Sequence, residues 1–361
     1  MKKIIFIILI LFALFILSAA FNGCNICGNK GAKDEITVVL IPKLTGNSFF
    51  DTAGESARTY AENHGFKVEY KGCPEADAEK QIKIVREAIK DKSDAICISA
   101  ADYSEALNDV LKEAESAGIK VVTWESDVSG EARTVMVSHG TPKQLGELLV
   151  DMGAKCLEHR GKNIFKDKIK YVWHYSQDSA AEQQLWNEVG EKYIKEVYPE
   201  WENINPDNYY SEQSLGKALK TSSAIFSENP DIDLIICCGN AALPGQAQVA
   251  RNLGLSAKDV SITGFSTPNI MREYCKDGTV ERWAFWDCKL QGKLSCYLAY
   301  YIASGNKLTI GDKINVPEIG IVEIIPNTIL DPDAYTSENS GVVLLPGRII
   351  FTLDNIDKYN Y

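Results

Sequence analysis

From residue 36 onward, short runs rich in β-branched residues alternate with stretches whose apolar residues recur at helical spacing, the pattern of a parallel sheet covered by helices on both faces. Residues 36–41, 66–70, 95–99 and 119–124 read as strands. Between the first two, Phe49, Ala53, Ala57 and Tyr60 mark one face of a helix that opens at Ser48 and ends at Gly65. Ile82, Val85 and Ile89 form the next stripe. Ala106, Leu107, Val110, Leu111 and Ala114 form a third, closed by Gly118. A second series starts at Thr141-Pro142, a cap with proline at the first helical position, and continues through Leu145, Leu148, Leu149 and Met152. Its strands are expected at 169–175, 234–238, 261–265 and 280–286. The expected fold class is α/β, two successive doubly wound units that each carry their own parallel sheet. A chain of 361 residues with 45% apolar content is long enough for two such cores. The cleft between the two lobes is then the default binding site.

The start of the chain reads differently. Lys2 and Lys3 precede an apolar run over 4–21 interrupted only by Ser18, which is a targeting segment and not part of the fold. It ends in Phe21-Asn22-Gly23-Cys24, which resembles a bacterial lipoprotein cleavage box with Cys24 as the lipidated first residue. The expectation is a signal peptide over 1–23, then a lipidated Cys24 and a linker over 24–35, polar from Gly28 to Asp34. An uncleaved anchor is the rival reading, because the run is nearly long enough to span a bilayer. Both place the body outside the cytoplasm, on the outer face of the cell membrane. In that compartment ten cysteines can suggest disulfides. Cys97, Cys237, Cys238 and Cys288, however, fall in or beside apolar strand-like runs, where a free thiol acts as a small buried hydrophobe. Cys24 and Cys27 form a C-x-x-C pair with no second pair or nearby histidine to complete a zinc site.

Ligands of open α/β sheets gather beyond the carboxyl ends of the strands. After the first strand come Lys43, Asn47, Phe49 and Phe50; after the fourth, Trp124, Glu125 and Asp127. In the second unit the segment 177–186 holds Glu182 and Gln183, and the strand ending in Cys237-Cys238 runs into Gly239-Asn240. Carboxylates that accept hydroxyl protons, a lysine and amides that donate, and aromatic faces for C–H edges suit a polyhydroxylated small molecule. Each residue alone has an ordinary structural reading as a solvated charge or a core aromatic. Forty-nine acidic against 38 basic residues leave no footprint for a phosphate backbone, so nucleic acid is not an expected partner. His64, His139, His159 and His174 have no metal-binding spacing, and neither H-E-x-x-H nor G-x-S-x-G occurs, so no catalytic residue, cofactor or metal is expected.

Several motifs together carry a resemblance: Ile41-Pro42-Lys43-Leu44, the run from Val122 to Asp127, Gly140-Thr141-Pro142, the run from Gly264 to Asn269, Phe285-Trp286-Asp287 and the run from Val343 to Phe351. Over nearly all of the mature chain the sequence resembles the receptors for the quorum-sensing molecule autoinducer-2, binding components of the Lsr transporter, within the wider type I periplasmic sugar-binding family. The resemblance implies two lobes joined by a multi-strand hinge, with the helix at about 289–304 returning to the first lobe. The implied lobes are 36–135 plus about 288–308, and 136–287 plus about 309–361. It also implies a ligand, the cyclic hydrated form of a five-carbon dihydroxy-dione. In the family that ligand is held by a lysine, two aspartates, a glutamine and main-chain groups of a proline and an alanine. These positions correspond to Lys43, Glu125 and Glu182, Gln183, and Cys238 and Asn240, so lysine and glutamine are kept while each aspartate is lengthened by a methylene. Trp286 and Asp287 enter the candidate site through their motif.

The implied function is capture of autoinducer-2 by a monomeric lipoprotein that hands it to the permease of an ABC transporter or to a sensor. The Glu and Asn substitutions keep open a second ligand class, a pentose or deoxyhexose such as ribose or rhamnose. A repressor on the same fold would need a DNA-binding module where the export signal stands. A carbohydrate-active enzyme would need Glu125 and Glu182 as an acid and base pair.

Overall fold

Val38, Val39, Leu40 and Ile41 have no exposed surface, which places their strand inside a sheet covered on both faces. The computed structural model describes residues 35–178, 180–212 and 214–361. The expected signal segment, Cys24 and the linker up to residue 34 lie outside the described residues. In the first lobe β1 (Thr37–Ile41) pairs in parallel with β2 (Lys67–Tyr70) on one side and β3 (Ala95–Ile98) on the other. Next come β4 (Lys120–Trp124) and β5 (Val135–Ser138), also parallel. The crossovers are α1 (Ser48–His64), α2 (Ala78–Lys90) and α3 (Glu105–Ser116). Each begins at a residue whose side chain accepts a backbone N–H of the first turn, Asn47, Asp77 and Ser104 respectively. Gly65 closes α1 in the left-handed region at φ 75°.

The second lobe opens with α4 (Pro142–His159), started by a capping box between Thr141 and Gln144. Its sheet has β6 (Ile169–Tyr175) beside β9 (Leu234–Cys237), then β10 (Ser261–Gly264), with β7 (Trp201–Asn203) and β8 (Tyr209–Tyr210) on the far side of β6. The helices between these strands are α5 (Ala181–Val197), α6 (Leu215–Glu228) and α7 (Ala242–Asn252); α8 (Pro268–Lys276) follows β10. The expected strand at 280–286 is shorter, β11 (Trp283–Phe285). It touches this sheet through one bridge, Phe265 to Ala284.

Next, α9 (Cys288–Ala303) returns to the first lobe and packs on α1 so closely that a Cβ on Gly292 would meet the carbonyl oxygen of Ala53 at 2.3 Å. The remaining strands are β12 (Lys313–Val316), β13 (Gly320–Glu323), β14 (Ile325–Pro326), β15 (Gly341–Leu344) and β16 (Ile349–Phe351). Strand pairing corrects two expected boundaries. β5 belongs to the first sheet, and so does β15, which pairs in parallel with β5 and carries β14 on its other edge. The last return to the second lobe therefore comes after residue 344, not near 309, with β16 pairing antiparallel to β11. The apolar run at 341–345 looks like any buried strand, and its partner, two hundred positions away, leaves no local signature.

The chain thus crosses between lobes at 139–141, 286–287 and 345–348, and the crossings are tied to one another. The His139 ring stacks on Trp286 at 4.0 Å between centroids, and Arg348 Nη1 donates to the His139 carbonyl at 2.6 Å. From α9, Gln291 Nε2 donates to the Val137 carbonyl at 3.0 Å. Tied crossings restrict the lobes to hinge-like closure.

Candidate functional site

Chain order reverses beside β1 in the first sheet and beside β6 in the second, so each sheet has a switch point whose strand ends open toward the same cleft. Lys43 follows β1, Ser99 follows β3, and Glu125 and Ser126 follow β4. From the second lobe Ser176 follows β6, Glu182 and Gln183 lie in the first turn of α5, and Cys238, Gly239 and Asn240 follow β9.

Lys43 is buried and its ammonium is the centre of the cluster. Nζ lies 3.1 Å from Glu125 Oε2 and 3.5 Å from Glu182 Oε1, and it also donates to Ser126 Oγ. Ser126 Oγ in turn donates to Glu182 Oε1 at 3.0 Å, and Ser99 Oγ donates to Glu125 Oε2 at 2.6 Å. Burial works against the charge on Lys43, but the attraction of Glu125 and Glu182 outweighs it and holds the ammonium pKa above its ordinary value. The lysine is therefore a fixed cation. Glu125 occupies the left-handed region at φ 63°, with Ser126 N donating back to the Trp124 carbonyl at 2.8 Å. A non-glycine residue in that region is strained, and here the turn brings Glu125 and Ser126 together onto Lys43.

The amides are fixed by the second lobe. Gln183 Oε1 accepts the Ser176 N–H at 3.0 Å. Asn240 Oδ1 accepts from Ser266 Oγ at 2.8 Å and from the Thr267 N–H at 3.1 Å. With their oxygens engaged, both amides have donor N–H groups to offer.

Lys43, Glu125, Ser176, Glu182, Gln183 and Asn240 surround a cavity of about 70 Å³ that also touches Asn47, Phe49, Phe50, Cys238 and Trp286. Asn47 has a second role as cap of α1, accepting the Phe49 N–H at 3.0 Å. Phe49 sits edge-on to Phe285 at 5.4 Å and to Trp286 at 6.0 Å, so an aromatic wall joins the two lobes.

Three expected residues are placed elsewhere. Trp124 is wholly buried behind the wall, stacked with Phe49 at 6.2 Å and edge-on to Phe50 at 5.7 Å. Asp127 is held in a two-point pair with Arg133, Nη2 to Oδ2 at 2.7 Å and Nε to Oδ1 at 2.9 Å, and lines a neighbouring cavity. Asp287 caps α9 by accepting the Leu290 N–H at 3.0 Å. The sequence reading missed Ser99, Ser126, Ser176 and Trp186. The strand-end rule points at Ser99, Ser126 and Ser176, which each directly follow a strand or its turn; nothing local singles out Trp186. Both glutamates converge on a single ammonium, an arrangement for accepting hydrogen bonds around a fixed charge. Among the described residues no group of three or more His, Cys, Asp or Glu is placed to hold a metal ion.

Residues 38–307 match the family described as the periplasmic binding protein domain. Among solved structures, LsrB from Clostridium saccharobutylicum in complex with AI-2 is 52% identical with a TM-score of 0.87, over 90% of this chain and 100% of that one. An ABC transporter solute-binding protein from Clostridium phytofermentas with bound L-rhamnose shares the fold, at TM-score 0.78 and 22% identity over 90% of this chain and 98% of its own. The D-ribose/D-allose-binding protein of Pseudomonas aeruginosa is 26% identical over 251 residues, 67% of this chain and 74% of that protein. Fold, two-lobed cleft and relatives agree on an extracytoplasmic solute-binding protein that works in transport or sensing, not catalysis. The chain belongs to the LsrB family of type I periplasmic sugar-binding proteins.

Proposed function

We propose that this protein captures autoinducer-2 between its lobes and delivers it to the permease of an ABC-type importer. The observation that carries the reading is the convergence of Lys43, Glu125, Glu182 and Gln183 on one interlobe cavity. A small ring of hydroxyls and hydrated carbonyls asks for these groups: acceptors for its O–H bonds, a cation and amide donors for its oxygens, and aromatic faces for its C–H edges. The similarity to a receptor solved with AI-2 supports the same ligand. Because the groups come from both lobes, a bound molecule stabilises the closed arrangement, and the closed form is what a permease recognises. Lipidation at Cys24 tethers the protein to the outer face of the membrane.

A second reading is a pentose or deoxyhexose, favoured by the presence of Asn240 and of two glutamates in the site. The discriminating experiment incubates purified mature protein with autoinducer-2, removes the protein, and assays both the residual signal and the ligand released by heat. Depletion followed by release supports the receptor. Absence of both, with a thermal shift from ribose or rhamnose, moves the assignment to sugar transport. Metabolic labelling with a lipid precursor, with and without Cys24→Ala, tests the tether.

A further inference from the structure

Beside the small cavity lies a much larger one of about 490 Å³, within the usual range for small-molecule sites. Glu125, Glu182 and Trp186 line both, so they form the partition between them. The large cavity is further lined by Asp127 and Asp331, and by the rings of Tyr103 and Tyr335. Among the described lining residues the cation is Arg133, which is committed to Asp127 and to the Gly341 carbonyl at 2.8 Å. Four carboxylates against Arg133, and Lys43 behind the partition, leave the space in a negative field.

Two buried polar atoms of lining residues have no hydrogen-bond partner, His139 Nδ1 and Asn327 Oδ1. Asn327 and His139 are each 3% exposed. The Asn327 amide is oriented by its own donor, Nδ2 to the Tyr335 carbonyl at 2.9 Å and to the Ser340 carbonyl at 3.1 Å, so the orphan atom is an acceptor. The His139 ring is neutral, because burial, with Lys43 and Arg348 nearby, pushes its pKa down to about 3, and a neutral imidazole nitrogen can accept. Both atoms are covered by their neighbours, so they are not contact points but add partial negative charge to the wall of the cavity.

We infer that the large cavity is a second ligand site, taking an organic ammonium whose charge lies among the carboxylates and whose apolar body lies among the aromatic rings. The carboxylates favour the positive charge, and the aromatic residues Tyr103, Trp186 and Tyr335 in the lining suit a cation with an apolar body better than a hydroxylated neutral molecule. The site does not depend on which polyol fills the small cavity.

The test uses 2-phenylethylammonium and its neutral twin 2-phenylethanol in titration calorimetry with the mature protein, at low and moderate salt. The expected result is saturable binding of the ammonium, roughly tenfold tighter than the twin and weaker as salt rises. Tyr335→Ala and Asp331→Asn, both at exposed positions outside the small cavity, should each weaken the ammonium roughly fivefold and leave autoinducer-2 depletion unchanged. No saturable binding, equal binding of the twin, or full ammonium affinity in both variants overturns the site. Failure to deplete autoinducer-2 with ammonium binding intact overturns only the polyol assignment.

Discussion

The two lobes contribute to the site in different ways. On the first lobe Lys43, Ser99, Glu125 and Ser126 are bonded to one another through side chains, and a strained turn at Glu125 sets their geometry. On the second lobe Gln183 and Asn240 are bonded chiefly to backbone and hydroxyl groups of their own lobe, and Glu182 reaches across to Lys43 and Ser126. Charge is therefore assembled on one side and donor direction on the other, with Glu182 as the link. The lesson is that charge placement and closure need not use the same groups: Glu125 and Ser126 meet Lys43 from its own lobe, and Glu182 meets it from the other.

The largest test of this asymmetry is acid. Burial drives the His139 pKa down to about 3 and that of His174 down to about 4, so both are neutral in the fold. Their depressed values make stability full above the unfolded pKa near 6.5 and progressively lost as pH falls toward 3, because the unfolded chain takes up protons the fold refuses. The loss is on the order of 8 kcal/mol for the two together. His174 lies in β6 and His139 at a crossing, so hydrogen exchange under mild acid should open the second sheet before the first. Simultaneous opening would erase the difference between the lobes.

Next in size is Lys43→Ala, which leaves Glu125 and Glu182 facing each other without a counter-ion. Ligand affinity should fall by about 3 kcal/mol, read by calorimetry. A loss below tenfold would show that the second lobe's donors dominate. Gly292→Ala acts on stability without touching the site. Its Cβ would collide with the Ala53 carbonyl, forcing α1 and α9 apart at a cost of about 2 kcal/mol in thermal unfolding, with ligand affinity retained. The smallest expected effect is Asn240→Ala, which removes the acceptor for Ser266 and Thr267 and one donor to the ligand. It should weaken binding by about 1 kcal/mol while leaving the Lys43 cluster intact.

The parts that could be read in advance are those with a local cause. Helical stripes and the cap at Thr141 announce their elements, and the strand-end rule points to Lys43, Glu125 and Asn240. Asp127 misled because its charge is spent on Arg133, six positions on, a pairing that no spacing distinguishes from a free acid. Glu125 could be named, yet not its left-handed backbone, since that conformation is imposed by the surrounding turn and not by any preference of glutamate. The partnership of β15 with β5 is likewise a long-range choice.

That partnership also bears on the order in which the molecule can form. The first sheet begins at Thr37 and is not finished until Gly341–Leu344 takes its place beside β5. A nascent chain emerging from a ribosome thus carries an open sheet edge until nearly its last residue is made. Contacts of such sequence separation make final assembly a late and slow event. Neither half can be cut out and expected to fold by itself.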